Sequence, residues 1–419
     1  MLITRPLLSA MLMSALACTQ RRAPLDARTA DSHTTATAAS TTTTTAPAAP
    51  AVMNDARGIL HCDLDLRAYE LGERDDGEPS APARTTDGFF VAFTHSQPLD
   101  AGRARTDLMA QRTDGSGALL PAMQIARDVH ITTPRVVGDR DTIYVQAQPP
   151  SAGRFPLTMF QTEGAVALVD RPAPFLSGWA EDMALGPRGV IATWRTRTGR
   201  EVERGIDREH LPNISLTAST STPVPSEQLV ASGGSVDMVL VQAPGSLRVA
   251  VLDSSTTPRE RVLATGPADR WFESSLAASS SRFAVVFIDA DMRTLRLQRF
   301  DSHGDAIGEA TILAPVDDSH VRRHPRITSL ADGWAVSYWD GIGPTIQRFD
   351  ADGRAVGAPF EVRSGDERGG HTEARMVASD DALAVTWHVH EPEFSHGVPQ
   401  EVPPRPGPRL GVLRCRASR

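Results

Sequence analysis

The chain has 419 residues and a formal net charge of −8, with 51 acidic residues against 43 basic ones. Every basic residue is arginine, and the absence of lysine excludes Schiff-base chemistry and a phosphate-binding P-loop, both of which need that amine. Positive charge is interspersed with acidic residues rather than gathered in a stripe, so no nucleic-acid partner is expected. The length admits one repetitive β domain as readily as several average domains.

In chain order the first element is an export signal. MLITRPLLSAMLMSALACTQ places Arg5 ahead of an apolar run from Pro6 to Ala17, with small residues before Cys18. At about 12 residues that run is too short to span a bilayer. Ala15-Leu16-Ala17-Cys18 is similar to a lipobox, with Ala where the usual motif opens on Leu. Lipidation of Cys18 would make the chain a cell-envelope lipoprotein, outer-membrane or periplasmic, touching the membrane through its lipid only. Ala15 and Ala17 also suit ordinary signal peptidase, so secretion stands as the alternative. Residues 19–56 are built from Thr, Ala, Ser and Pro, including the run Thr41 to Thr45, and cannot bury enough apolar surface to offset the entropy of ordering. They read as a disordered tether, leaving residues 57–419 as the folded part.

That part repeats. Short apolar, β-branched runs recur as FFVAF (from Phe89), TIYVQ (Thr142), VIATW (Val190), DMVLVQ (Asp237), FAVVF (Phe283), WAVSYW (Trp334) and ALAVTW (Ala382), roughly fifty residues apart. They are too short for helices and rich in strand formers. Upstream lie other strand candidates, Pro134 to Val137, Pro325 to Ile327 and Ala374 to Met376. Downstream, Gln111-Arg112, Gln298-Arg299 and Gln347-Arg348 each precede an Asp and a Gly-containing hairpin turn, followed by a fourth strand. Arg84, Arg135, Arg326 and Arg375 fall near equivalent places on the first strand, which predicts salt bridges to the neighbouring unit, with a positively charged channel that collects anions as the alternative. Residues Arg200 to Pro225 and Pro392 to Pro408 depart from the repeat as long loops.

The last unit stops after a third strand, Leu410 to Arg416, while an extra strand candidate, Gly58 to Leu64, stands at the other end. If the latter completes the former, Cys62 lies beside Cys415, and in an oxidising compartment the two form a disulfide that leaves no exposed edge; two free thiols are the alternative. Four antiparallel strands per fifty residues resemble the β-propeller superfamily from Gly58 to the C-terminus. Seven blades fit the runs, six or eight remain open, and tandem immunoglobulin-like sandwiches fit the spacing less well. The WD dipeptide, kelch double Gly and sialidase Asp-box are absent, so the resemblance assigns no functional residues.

Loops entering the first strand of each unit carry Trp179 with Glu181 and Asp182, Trp271 with Glu273, Arg323 and His324, and His371, besides His130, His320, Arg322 and Glu373. This mixture suits a carbohydrate or an anion. His388 and His390 share one strand face ahead of Glu393 and His396, a candidate metal site with no third ligand fixed. Asp350-Ala351-Asp352-Gly353 starts like a calcium loop but reads as a hairpin turn. No nucleophile elbow or phosphate loop occurs and no cofactor is implied. The expected role is a non-enzymatic module binding a protein or carbohydrate at the envelope; the alternative is a glycan-cleaving enzyme using Glu181 and Glu273.

Overall fold

Each of the seven apolar runs forms the second strand of an antiparallel sheet, and the sequence explains why. The runs are apolar without alternation because both faces are covered by other sheets, whereas a half-solvated strand would alternate. In the computed structural model these runs are β4 (Gly88–Pro98), β8 (Thr142–Gln146), β13 (Gly189–Arg195), β17 (Val236–Ala243), β21 (Arg282–Ile288), β25 (Gly333–Trp339) and β29 (Ala382–Val389). The structure describes residues 60–417 apart from 63–66, 73–76, 100–103, 130–132, 141, 147–154, 164–166, 172–174, 177–179, 188, 196–199, 206–213, 217–228, 254–257, 270–271, 291–293, 316–322, 340–343, 363–373 and 390–406. The segments expected to be an export signal with Cys18 and a tether therefore lie outside the described residues.

Ahead of each second strand runs a first strand: β3 (Ala83–Thr85), β7 (Arg135–Asp139), β12 (Asp182–Gly186), β16 (Val230–Gly233), β20 (Ser274–Ala278), β24 (Arg323–Leu330) and β28 (Arg375–Ala378). After it comes a third: β5 (Ala104–Arg112), β9 (Phe155–Glu163), β14 (Arg200–Gly205), β18 (Ser246–Leu252), β22 (Thr294–Asp301), β26 (Pro344–Asp350) and β30 (Gly407–Ala417). Fourth strands are β6 (Met123–Ala126), β10 (Ala167–Arg171) with β11 (Phe175–Leu176), β15 (Ile214–Leu216), β19 (Arg259–Thr265), β23 (Ala306–Pro315) and β27 (Ala355–Glu361). The result is seven antiparallel sheets and no helix among the described residues. The stretch from Arg200, expected to be a loop, instead supplies β14 and β15 of an ordinary sheet; its Arg- and Glu-rich third strand concealed the repeat.

The seventh sheet takes its outer strand from the N-terminal side. β1 (Leu60–Cys62) lies within the strand expected at Gly58 to Leu64, and β2 (Arg67–Glu70), beyond that range, is a second partner; both pair antiparallel with β30, which is long enough for the two. Cys62 stands directly opposite Cys415 in that register.

Seven apolar clusters fill the spaces between successive sheets. Phe283, Phe287 and Phe300 pack with Met238 and Leu240. The opposite face of the same sheet, through Ala284 and Val286, meets Trp334 and Tyr338. Phe89 and Val91 of β4 pack with Ala384, Leu410 and Val412 of the seventh sheet. First strands contact one another in chain order, and β28 contacts β3.

The Gln-Arg-x-Asp signature is a packing device. Asp114, Asp301 and Asp350 each accept, on Oδ1, main-chain N–H groups two and four residues on, fixing the hairpin. Gly117, Gly304 and Gly353 close it at φ +76°, +79° and +81°. These glycines lie against Val412, Val251 and Leu297 of the preceding sheet, where a Cβ would crowd them. The Gln amides donate to carbonyls of the outer strands, Gln298 to Gly308 and Gln347 to Val356 and Gly357, or, for Gln111, to Leu120 just ahead of β6. Arg299 reaches the Ala351 carbonyl and Asp352, and Arg414 the Gly115 carbonyl, so hairpins are also tied to the neighbouring sheet by charge.

Candidate functional site

The residues expected at the entry to the first strands are brought together in part. Glu273 precedes β20, and His324 lies in β24 of the next sheet. Between Arg323 and Arg326 the register of β24 against β25 shifts, and His324 adopts φ +56° at that bulge. A non-glycine residue in the left-handed region at a bulge is re-aimed away from its ladder. Its N–H donates across the sheet boundary to Glu273 Oε2 at 2.5 Å, and its Nδ1 lies 3.6 Å from the same oxygen. The Glu273 carboxylate thus holds two sheets together through a strained main chain. Glu181 is half-buried at the start of β12, two sheets away, with its N–H donated to the Thr193 carbonyl. Arg323 is placed by its backbone in β24. Trp179, Trp271 and His371, with His130, His320, Arg322 and Glu373, lie outside the described residues.

One level further along the first strands, register defines a charged layer. Arg135, Arg326 and Arg375 stand opposite Gln146, Ser337 and Thr386. Asp182 stands opposite Thr193, the same place in its sheet. Arg84 does not belong to this layer: it pairs with Phe89 beside the turn, and the equivalent place is taken by Ala81. The short first strand and its turn misled the alignment of Arg84 by spacing alone. Ala81, Arg135, Asp182 and Arg375 line one narrow cavity.

The predicted inter-unit bridges hold at both ends of the chain. Arg375, 4 % exposed, donates to the Pro79 carbonyl at 2.5 Å and to Glu78 at 2.9 Å. Arg84 pairs with Asp380 at 2.7 Å. Asp182 accepts the Val230 N–H at 2.9 Å from the following sheet. Loss of water around its carboxylate raises its pKa to about 6, against the opposing pull of that N–H and of Arg135. Asp182, expected in a loop, lies on β12; the signal that locates it is the offset to Thr193 in VIATW, the same as that from Arg375 to Thr386 in ALAVTW.

His388 is buried on β29, while His390, Glu393 and His396 lie outside the described residues. Among the described residues no group of three or more His, Cys, Asp or Glu side chains is placed to hold a metal ion. Asp350 to Gly353 is the hairpin turn described above.

A second depression lies at the opposite ends of the first strands, where the turns into the second strands converge. It measures about 530 Å³ and collects residues of five sheets, from Arg84 and Arg140 through Ser279 to Arg282 and Ser329 to Trp334 to Ser379 and Asp380.

Fold and sites together define a repetitive all-β protein of seven face-packed antiparallel sheets with charged residues along its first strands. No protein-family model and no curated protein matches the chain. Among solved structures it is similar to a chain from a study of two prolyl endopeptidases, with 13% identity over 80% of this chain and a TM-score of 0.48. This chain spans 50% of that one. It is also similar to the WD40 domain of Toxoplasma gondii coronin, with 8% identity, 86% and 89% coverage of the two chains and a TM-score of 0.47. For Kluyveromyces lactis Hsv2 the values are 9%, 82%, 98% and 0.44.

Proposed function

We propose that the chain is an exported, seven-bladed β-propeller whose ring is completed by β1 and β2, and that it serves as a non-enzymatic binding scaffold for a protein or carbohydrate at the cell envelope. The observation that supports this most is the packing between the last sheet and the first, where Phe89 and Val91 meet Ala384, Leu410 and Val412, and Arg414 reaches Gly115. A ring held this way presents its loops on a rigid frame, the arrangement binding surfaces use. The Glu273 carboxylate favours this reading over the glycosidase alternative, because its oxygen is engaged by the His324 main chain.

Two further parts belong to the same proposal. Cys18 carries the lipid and residues 19–56 form the tether. Cys62 and Cys415 form a disulfide, since directly opposed residues of an antiparallel pair have Cα atoms about 4.5–5.5 Å apart, within the range such a bond accepts.

The test has two arms with the full chain. Incubation with envelope glycans and chromogenic esters is expected to give no turnover, and measured turnover that disappears in Glu273→Gln would overturn the scaffold reading. Photo-crosslinking in intact envelopes is expected to yield one discrete adduct. Labelled lipid is expected to enter the wild-type chain and not Cys18→Ala.

A further inference from the structure

The boundary between the fifth and sixth sheets carries a titratable contact. Glu273 sits on a fixed frame: Phe272 and Ser274 on either side of it are buried, and its own carbonyl accepts the Ile288 N–H of β21 at 3.0 Å. Facing it, β24 is bulged. Further along the same boundary the Ile327 N–H donates to Ser275 Oγ at 3.1 Å. Between the two contacts lie two steps of chain on the fifth sheet, 273 to 275, and three on the sixth, 324 to 327; the extra residue is the bulge. It turns both the main-chain N–H and the imidazole Nδ1 of His324 toward one carboxylate oxygen, at 2.5 Å and 3.6 Å.

Of these two approaches, the second responds to pH. A neutral imidazole presents either a proton or a lone pair at Nδ1, whereas the imidazolium always presents a proton. At 3.6 Å, Nδ1 stands just outside hydrogen-bond distance of Glu273 Oε2, and an approach of about half an ångström converts proximity into a charge-assisted bond. Both side chains are half-buried, so water screens the pair less than it screens a surface pair.

The elements packed on β24 add no competing carboxylate among their described residues. β20 and β25 bear no charged side chain, and the further titratable group there, Tyr338, is buried. On β21 the charged residue is Arg282, at the opposite end beside Asp301, and on β28 it is Arg375, which holds Glu78 at 2.9 Å. Arg323 and Arg326, in β24 itself, oppose a further positive charge. The Glu273 carboxylate, in direct contact, favours it, and Coulomb energy falls with distance.

We infer that Glu273 and His324 form a proton-operated clasp, which fastens the fifth sheet to the sixth at the entry to the first strands in acid and slackens when the imidazole loses its proton. The imidazolium Nδ1–H donates to the carboxylate, and on release the proton passes to solvent. The main-chain bond remains, so the slackened clasp leaves the fold in place. Its stabilisation is present in acid and lost as pH rises through the imidazole range, about 6 to 7. The inference concerns how two sheets are joined and holds whatever ligand or partner the chain takes.

The experiment is a double-variant cycle in the full chain, Glu273→Gln with His324→Asn, measured by urea unfolding at about pH 5.5 and about pH 8. Gln keeps an oxygen for the His324 N–H and loses the charge, while Asn accepts the left-handed backbone and does not titrate. The coupling is expected to be about fivefold larger in the unfolding constant at the lower pH, the scale of a partly exposed ion pair. The cycle cancels Asp182, whose carboxyl titrates in a neighbouring range. Amide hydrogen exchange across residues 323–327 of the wild-type chain needs no variant: protection, corrected for the chemical exchange rate at each pH, is expected to rise on acidification. Coupling that is equal at the two pH values or larger at the higher one, or protection that stays level, would overturn the clasp.

Discussion

Gly304→Ala isolates the contact by which one sheet packs on the next. Gly304 has φ +79°, and a Cβ there would lie 2.7 Å from both Val251 Cγ1 and Cγ2. The left-handed backbone alone costs an alanine about 1–2 kcal/mol. Overpacking against a valine that is 3% exposed adds about 1–3 kcal/mol. Gly308, in the neighbouring strand of the same sheet, supplies the control: its φ is +66°, yet nothing lies within 4 Å of an added Cβ. Gly308→Ala is therefore expected to cost only the backbone share. In urea unfolding followed by tryptophan fluorescence, Gly304→Ala should exceed Gly308→Ala by about 1–3 kcal/mol. Val251→Ala removes both methyls and costs about 2 kcal/mol by itself, but the double variant Val251→Ala/Gly304→Ala should recover most of the clash as a coupling energy. Equal costs for the two glycines, or strict additivity with Val251→Ala, would refute the claim that the hairpin glycines are required by inter-sheet contact.

Three further outcomes follow from other contacts. The Asp182 carboxyl has a folded pKa raised to about 6 from 3.8, so the folded state holds its proton more tightly than the unfolded state. Stability should fall as pH rises from about 4 to 6, by up to about 3 kcal/mol, and Asp182→Asn should flatten that slope in a pH series of melts. Arg375→Ala should cost about 2 kcal/mol, because its side chain is 5% exposed and holds Glu78 and the Pro79 carbonyl, whereas Arg84→Ala should cost under about 1 kcal/mol, its partner Asp380 being 77% exposed. Equal losses would count against the burial argument. Mass spectrometry without reductant should show the chain lighter by the two hydrogens of a Cys62–Cys415 bond, with reduction costing about 2–4 kcal/mol of stability; a full thiol count after oxidative export would refute the bridge.

The sequence by itself determined the strands and their period. Each apolar run is legible because covering both faces of a short strand demands β-branched and aromatic residues without polar alternation, as in FAVVF and WAVSYW. Hairpins were legible for the same local reason, since an Asp side chain and a left-handed glycine satisfy a turn wherever the turn sits. The opposition of Cys62 and Cys415 followed from counting strands. What register alone decides was not legible: Arg84 reads like Arg375 by spacing, yet the turn after β3 places it by Phe89, outside the charged layer. β14 was hidden because its sequence, REVERG, carries Arg and Glu in place of an apolar run. The candidate sites depended on the tertiary structure most of all. Glu273 and His324 are 51 residues apart and meet only because a bulge turns one N–H across a sheet boundary, and the arginines and serines of the depression at the turn ends come from five sheets whose turns have no local reason to share a composition. Periodicity follows from burial, which each residue experiences locally; convergence follows from packing, which no stretch of sequence contains.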